Sequence, residues 1–314
     1  MHKAAASAPA SIGNVGVGFD IMGQAFDAAR DRVVAVREDA PGVRLGEVSG
    51  LVTSLPDDPR RNTALAAAEA VLAAAGARFG ARLSIDKGVP MSAGMGGSAA
   101  SAVAGAAAVN ALLDDPFAEE ELLPFALEGE RVSSDPPPWD NVMAALHGGL
   151  VLAVRTDNFI VQRLSVPQGI VAVLLHPSLQ IETRAARGLL RPEVSMAQVI
   201  EHSRRVAAFA AGCASGDYGL IRAGLEDVLV EPQREHLMPA LPQVKKAALE
   251  AGALGCSFSG SGPSVFAWAL EAEAERVESA MSWAFVDAGI AARAYRAPVG
   301  SAGVRVERVW EAVA

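Results

Sequence analysis

The sequence predicts an α+β fold in two domains, and three observations carry that expectation. Its 314 residues suffice for one large domain or two ordinary ones. Alanine-rich stretches of helix-forming composition are interspersed with short apolar runs of strand character at 150–154, 170–175 and 265–270. A polar stretch at 155–168 separates the two halves. The expected division is therefore 1–155 for an N-terminal domain and 156–314 for a C-terminal one.

In chain order, residues 8–20 (Ala-Pro-Ala-Ser-Ile-Gly-Asn-Val-Gly-Val-Gly-Phe-Asp) read as a glycine-punctuated loop whose polar groups are Ser11, Asn14 and Asp20. Residues 62–77 have the composition of a helix, with Arg60 and Arg61 just ahead of it. Residues 90–101 (Pro-Met-Ser-Ala-Gly-Met-Gly-Gly-Ser-Ala-Ala-Ser) are a second glycine-rich loop that runs into a helix expected over 98–113. An acidic helix is expected over 117–132, ending before Ser133-Ser134-Asp135-Pro136-Pro137-Pro138, since prolines cannot continue it. Gly148-Gly149 opens the strand at 150–154, and the buried-strand candidate at 170–175 precedes helices around 195–214 and 217–229. Residues 257–264 (Ser-Phe-Ser-Gly-Ser-Gly-Pro-Ser) are a third small-residue loop, continued by the apolar strand 265–270.

The second loop suits an anion. Gly94, Gly96 and Gly97 permit positive φ and close backbone approach, and unpaired amides at the start of the following helix sit at the positive end of its dipole. No lysine follows these glycines, so the Gly-Lys-Ser/Thr ending of a Walker loop is absent. A tightly packed Ala/Gly helix start explains this segment alone equally well.

Composition narrows the class. A net charge of −9 and a pI of about 5.1 argue against nucleic acid as a partner, so an anionic substrate must be held by local groups. Charged or glycine-rich residues break every apolar run short of a membrane span, and Met1-His2-Lys3 leads into no signal-peptide pattern, so a cytoplasmic protein is expected. Cys213 and Cys256 are far apart and lack metal-ligand spacing, which predicts buried free thiols.

Three glycine/serine loops in this order are more specific than any one of them. Here the chain resembles the GHMP kinase superfamily, and within it the homoserine kinases. Residues 90–100 match the superfamily's Pro-x-x-x-Gly-Leu-Gly-Ser-Ser-Ala-Ala, with Met95 for the leucine and Gly97 for the first serine. Asn14-Val15-Gly16-Val17-Gly18-Phe19-Asp20 is similar to the Asn-Leu-Gly-Pro-Gly-Phe-Asp of homoserine kinases, whereas mevalonate-type relatives carry a lysine near the place of Ser11. The resemblance implies a two-domain GHMP kinase architecture with a ferredoxin-like C-terminal domain, ATP and Mg²⁺ as cofactors, and L-homoserine as the phosphoryl acceptor. It leaves a homodimer open.

The same resemblance assigns roles. Pro90, Ser92, Ala93, Gly94, Met95, Gly96, Gly97, Ser98 and Ala99 would cradle the nucleotide, with Asn62 on the adenine side. Ser98 and Glu130 would ligate Mg²⁺, Glu130 lying eleven residues before Asn141 as in the homoserine-kinase pattern. Trp139-Asp140-Asn141 matches the family's His-x-Asp-Asn segment, with Pro138 where the histidine is usual; Asp140 would stand in the place of a base and Asn141 would hydrogen-bond the substrate. Phosphoryl transfer through a loose transition state needs little base help, so both readings of Asp140 stay open. Arg187 and Arg234 would clamp the substrate carboxylate, with Arg184 a rival to Arg187. Asp20 would take the ammonium, Asn14 would orient polar groups, and Thr183 would lie near the transferred phosphate. Two alternatives accompany this reading: a GHMP kinase for another small alcohol, and a non-catalytic nucleotide-binding member, for which Gly97 and Pro138 speak.

Overall fold

The computed structural model describes residues 2–181 and 183–308, and for Thr183, Arg184 and Arg308 the backbone alone. The N-terminal half carries strands β1 (Lys3–Gly13), β2 (Met22–Glu38), β3 (Gly42–Gly50), β4 (Gly80–Lys87) and β5 (Leu150–Arg155) and helices α1 (Thr63–Ala74), α2 (Gly97–Asn110), α3 (Leu123–Glu130) and α4 (Trp139–His147). There follow β6 (Ile160–Leu164), β7 (Ile170–Pro177), α5 (Thr183–Gly188), α6 (Met196–Ser215), α7 (Tyr218–Gly224), α8 (Glu231–Arg234), α9 (Leu241–Glu250), β8 (Gly255–Phe258), β9 (Val265–Leu270), α10 (Glu271–Asp287), β10 (Ala292–Pro298) and β11 (Arg305–Arg308). Among the described residues, seven strands form one sheet, ordered β11-β1-β2-β4-β3, with β5 added beside β2 and β6 beside β5. Four antiparallel strands, ordered β10-β7-β9-β8, form the second. With α9 and α10 packed on one face, this is the ferredoxin-like unit expected for the second half.

Small side chains explain the middle of the first domain. Helix α2 is buried along nearly its whole length, which Ala, Gly and Ser allow at low entropic cost. A Cβ on Gly105 would stand 2.5 Å from the Ala64 carbonyl oxygen, so α1 and α2 approach to backbone distance only because that residue is glycine. Asn62 caps α1: its Oδ1 accepts from the Ala64 and Leu65 amides at 3.1 and 3.4 Å, and its Nδ2 donates to the Pro56 carbonyl at 2.9 Å.

Several boundaries differ from those expected. Residues 8–13 are strand, not loop: Ala8, Ala10 and Ile12 are buried in β1, whose small residues fit between layers, and Pro9 is accommodated where the β1–β2 register shifts. The acidic helix is shorter than 117–132, because Pro124 lacks an N–H and tolerates only a first turn; a 3₁₀ turn at Glu119–Leu122 precedes α3. Helix α7 stops at Gly224, and the Asp227 carboxylate then accepts from the Leu229, Val230 and Glu231 amides. The polar stretch at 155–168 contains β6, which pairs with β5; the expected division at 155 thus falls inside a hairpin, and β11 returns to the first sheet beside β1. Helix α4 was not expected.

One hydrophobic core runs through both halves, joining Ile12, Met22 and Phe26 to Phe209, Phe266 and Trp268. Within it Trp268 Nε1 donates to Gln24 Oε1 at 2.7 Å, tying the second sheet to β2. Cys213 and Cys256 are free and buried as expected, and burial raises both thiols, Cys213 to about 12. No helix among the described residues is long and apolar enough to cross a membrane.

Candidate active site

The three small-residue segments lie against one another. The Ser11 amide donates to the Met95 carbonyl at 2.9 Å, the Gly260 amide to the Gly13 carbonyl at 3.1 Å, and the Ser264 amide to the Ala93 carbonyl at 3.3 Å. Ser259 Oγ donates to the Gly94 carbonyl at 2.6 Å. Glycine is required where they touch: Gly94 and Gly96 have φ of 70° and 64°, and a Cβ on them would stand 2.6 Å from the Ser259 and Gly262 carbonyls and 2.0 Å from Ser11 Oγ.

Residues 88–96 form the loop that ends at α2. Gly96 is its N-cap and makes no side-chain capping bond, and the first amide bonded back is that of Ala100, to the Gly96 carbonyl at 2.9 Å. The Gly97, Ser98 and Ala99 amides therefore have no intrahelical acceptor and lie at the positive end of α2, a site suited to phosphate. Of the other residues expected here, Ala93 and Met95 are buried and can offer only backbone, Pro90 and Gly94 are half-buried, and Ser92 is exposed at φ 53°.

At the start of α2, Ser98 Oγ donates to Glu130 Oε1 at 2.5 Å. Glu130 is 1% exposed, and its other oxygen, Oε2, is buried without a partner. Burial pushes its carboxyl up to about 7, against the pull of the Ser98 hydrogen bond and of Lys87. A buried carboxylate with a vacant oxygen beside a hydroxyl is the kind of oxygen donor pair that Mg²⁺ takes while keeping other positions for phosphate and water. Among the described residues no group of three or more His, Cys, Asp and Glu could hold a metal by itself.

Asp140 and Asn141 begin α4 where the segments meet. Pro138 is the helix N-cap, in extended conformation, so the position usual for histidine shapes the backbone here. Asp140 Oδ2 accepts from the Asn14 amide at 3.0 Å, and Oδ1 accepts from the Asn141 amide at 2.9 Å and its Nδ2 at 3.2 Å. Burial, and next the charge of Asp20, push the Asp140 carboxyl up to about 7. Asn141 Oδ1 accepts from Ser11 Oγ at 2.9 Å. Asn14, at φ 68°, donates from Nδ2 to the Gly260 carbonyl at 2.9 Å and accepts the Asp20 amide at 3.1 Å, so it fixes the turn that presents Asp20.

The two expected arginines converge on Phe19, their guanidinium carbons lying 5.5 Å (Arg187) and 5.2 Å (Arg234) from its ring centroid. Arg187 forms a two-pronged pair with Asp20, at 2.7 and 2.9 Å, while its Nε is buried without a partner. Arg234 is 2% exposed and donates from Nε to the Ala186 carbonyl at 3.0 Å; burial and then Arg187 lower its pKa. Arg187 is thus paired with Asp20, while Arg234 is held by a backbone carbonyl and feels Asp20 and Asp227 only through their charge. Arg187 lies on α5 and Arg234 on α8; Thr183 opens α5, but its side chain and that of Arg184 lie outside the described residues. In the structure the Asn62 amide is engaged elsewhere, its Oδ1 capping α1 and its Nδ2 donating to the Pro56 carbonyl.

Sequence reasoning missed Lys87, Asp31 and Ser101. Lys87 and Asp31 are a buried pair beneath the 88–96 loop, with Ser101 between them. The Asp86-Lys87-Gly88 end of a strand, three residues ahead of Pro90, was the available signal for the lysine; Asp31, in the middle of β2, carried none.

Family models described as GHMP kinases N terminal domain and GHMP kinases C terminal match residues 62–149 and 208–287. A homoserine kinase of Xanthomonas campestris is 43% identical over 98% of this chain and 94% of its own, and one of Chlorobaculum tepidum is 37% identical over 95% and 96%. The crystal structure of homoserine kinase from Cytophaga hutchinsonii superposes with a TM-score of 0.93 at 37% identity, covering 98% of both chains. The chain belongs to the homoserine kinases of the GHMP kinase superfamily.

Proposed function

We propose that this protein transfers the γ-phosphoryl group of ATP to the side-chain hydroxyl of L-homoserine, giving O-phospho-L-homoserine and ADP. The observation that carries this reading is the likeness to homoserine kinases at up to 43% identity over nearly the whole chain. The site's chemistry supports it. The amides at the start of α2, from Gly97 to Ala99, hold the nucleotide phosphates. Ser98 and Glu130 hold Mg²⁺, which when bound neutralises charge on the transferring phosphoryl group. The vacant buried oxygen of Glu130 favours that assignment.

On the acceptor side, Arg187 and Arg234 take the substrate carboxylate and Asp20 its ammonium, with Asn14 setting the turn that carries Asp20. In the free protein Asp20 and Arg187 satisfy each other. An amino acid supplies both opposite charges at once, so each residue trades one partner for another without leaving an unpaired ion. Asn141 orients the hydroxyl. Its oxygen attacks the γ-phosphorus as the bond to the β,γ-bridging oxygen breaks, and Asp140, pushed up to about 7, is matched to hold the released proton near neutral pH. The test is to incubate the protein with Mg-ATP and L-homoserine and follow phosphorus resonances. A new phosphomonoester coupled to the terminal methylene of homoserine is expected; ATP intact, or hydrolysed to inorganic phosphate with homoserine unchanged, would refute the reading.

A further inference from the structure

Among the described residues the most deeply buried ion pair, Lys87 with Asp31, has no part in the proposed catalysis. Lys87 is 4% exposed and Asp31 fully buried, and an ionic pair so deep is costly to keep unless its remaining donors and acceptors are satisfied. They are, and by a particular set of partners. Asp31 Oδ1 accepts from the Gly88 and Val89 amides at 3.1 and 3.0 Å, the residues that enter the phosphate-side loop. Lys87 Nζ donates to the Gly97 carbonyl at 2.9 Å, where the loop leaves into α2. Ser101, one turn further along α2, accepts from Lys87 at 2.9 Å and donates to Asp31 Oδ2 at 2.6 Å.

One carboxylate therefore grips the loop's entry and one ammonium its exit, with a hydroxyl joining them. Ser98, next to Gly97, is also held from the other side, its carbonyl accepting from Thr63 Oγ1 at 3.0 Å. A Walker loop turns its lysine toward the phosphates; here the ammonium lies behind the loop and binds the backbone. The arrangement is also suited to an N-cap glycine that supplies no side-chain bond of its own.

We propose that Lys87 and Asp31 are positioning residues that clamp both stems of the 88–97 loop and so set the spacing of the amides that bind nucleotide phosphate. This rests on the kinase reading given above. The pair binds Gly88, Val89 and Gly97 directly, and the Lys87 charge also reaches Glu130.

The test measures Mg-ADP affinity by calorimetry and steady-state kinetics for both substrates in the unsubstituted protein, in Ser101→Ala, and in the double variant Lys87→Met/Asp31→Asn. The double variant removes both charges together, so no buried ion is stranded; Ser101→Ala removes only the bridge and keeps the test open should the double variant not fold. A loss of about tenfold in Mg-ADP affinity and a matching rise in KM for ATP are expected for the double variant, with KM for homoserine unchanged, and a smaller shift of the same kind for Ser101→Ala. Unchanged nucleotide affinity in the folded variants would overturn the proposal, as would a homoserine KM that rises in step with that for ATP, which marks general loosening. Absence of nucleotide binding by the unsubstituted protein would overturn the kinase reading and this proposal with it.

Discussion

The loop at 88–97 and the charged cluster around Phe19, the two sides of the proposed site, are held by different means. The loop is tied by bonds to its own backbone from buried groups: Asp31 and Lys87 at its stems, Ser259 and the Ser264 amide along its length. The clamp is tied by side-chain charge. Asp20 and Arg187 face each other while about a third exposed, and Arg187 rides on a helix of six residues. Backbone-directed bonds fix a shape that no ligand has to create, whereas a charge pair can be traded for a ligand's own charges. In the proposed reading the nucleotide side is built in advance and the acceptor side is completed by the substrate.

That contrast can be broken most sharply at Glu130. Replacing Glu130 with Gln should lower kcat by about a hundred- to a thousandfold at saturating substrates with the fold intact by circular dichroism, since it removes charge from a prebuilt site. A variant with near-normal kcat would remove Glu130 from the phosphoryl-transfer machinery.

Stability should follow the same division. Glu130 and Asp140 both rise to about 7 in the fold from ordinary values of 4.5 and 3.8. The folded chain thus holds more protons than the unfolded chain between those values, so stability falls as pH rises through that window. Full ionisation costs roughly 3–4 kcal/mol per group. The Tm of the ligand-free protein should decline between about pH 5 and pH 8, and Asp140→Asn should flatten the decline; a Tm that climbs over this range would contradict the burial argument.

On the acceptor side, Arg187→Ala should raise KM for homoserine by about ten- to a hundredfold while KM for ATP stays the same. A matched rise in both would mean that the two regions are not independent. The smallest effect is expected from Gly97→Ser, which restores the family's usual serine. Its Cβ would sit 3.3 Å from Val89 Cγ1 and the Pro90 carbonyl oxygen, a contact that a small shift relieves. Stability should change by less than about 1 kcal/mol and KM for ATP by less than about threefold; a large loss would show that Val89 has made glycine obligatory here.

The sequence was most legible where glycine geometry and short motifs coincide. The loop from Pro90 to Ala99 was legible from residue type and order, whereas the placing of Ser98 with Glu130 followed only from the family resemblance and the meeting of Asn14 with Asp140 was not expected. Composition misled where small residues serve two structures: Ala8–Gly13 reads as a loop, but buried between layers the same residues make a strand. Helix α4 was hidden because its first turn, Trp139-Asp140-Asn141, reads as a motif following three prolines, and its only end signal, Gly148, doubles as a strand opener. Long-range partners were not legible at all. Asp31 meets Lys87 across 56 residues and Arg187 meets Asp20 across 167, and neither periodicity nor spacing encodes such a meeting.

The most direct measurement is ADP release with Mg-ATP and a panel of L-homoserine, its analogues lacking the carboxylate or the amino group, L-serine, mevalonate and shikimate. Turnover selective for L-homoserine, with a steep loss for both analogues, is the predicted result, because each analogue leaves Asp20 or the arginines without a partner. Equal turnover of the analogues, preference for another alcohol, or none with any acceptor would contradict the account.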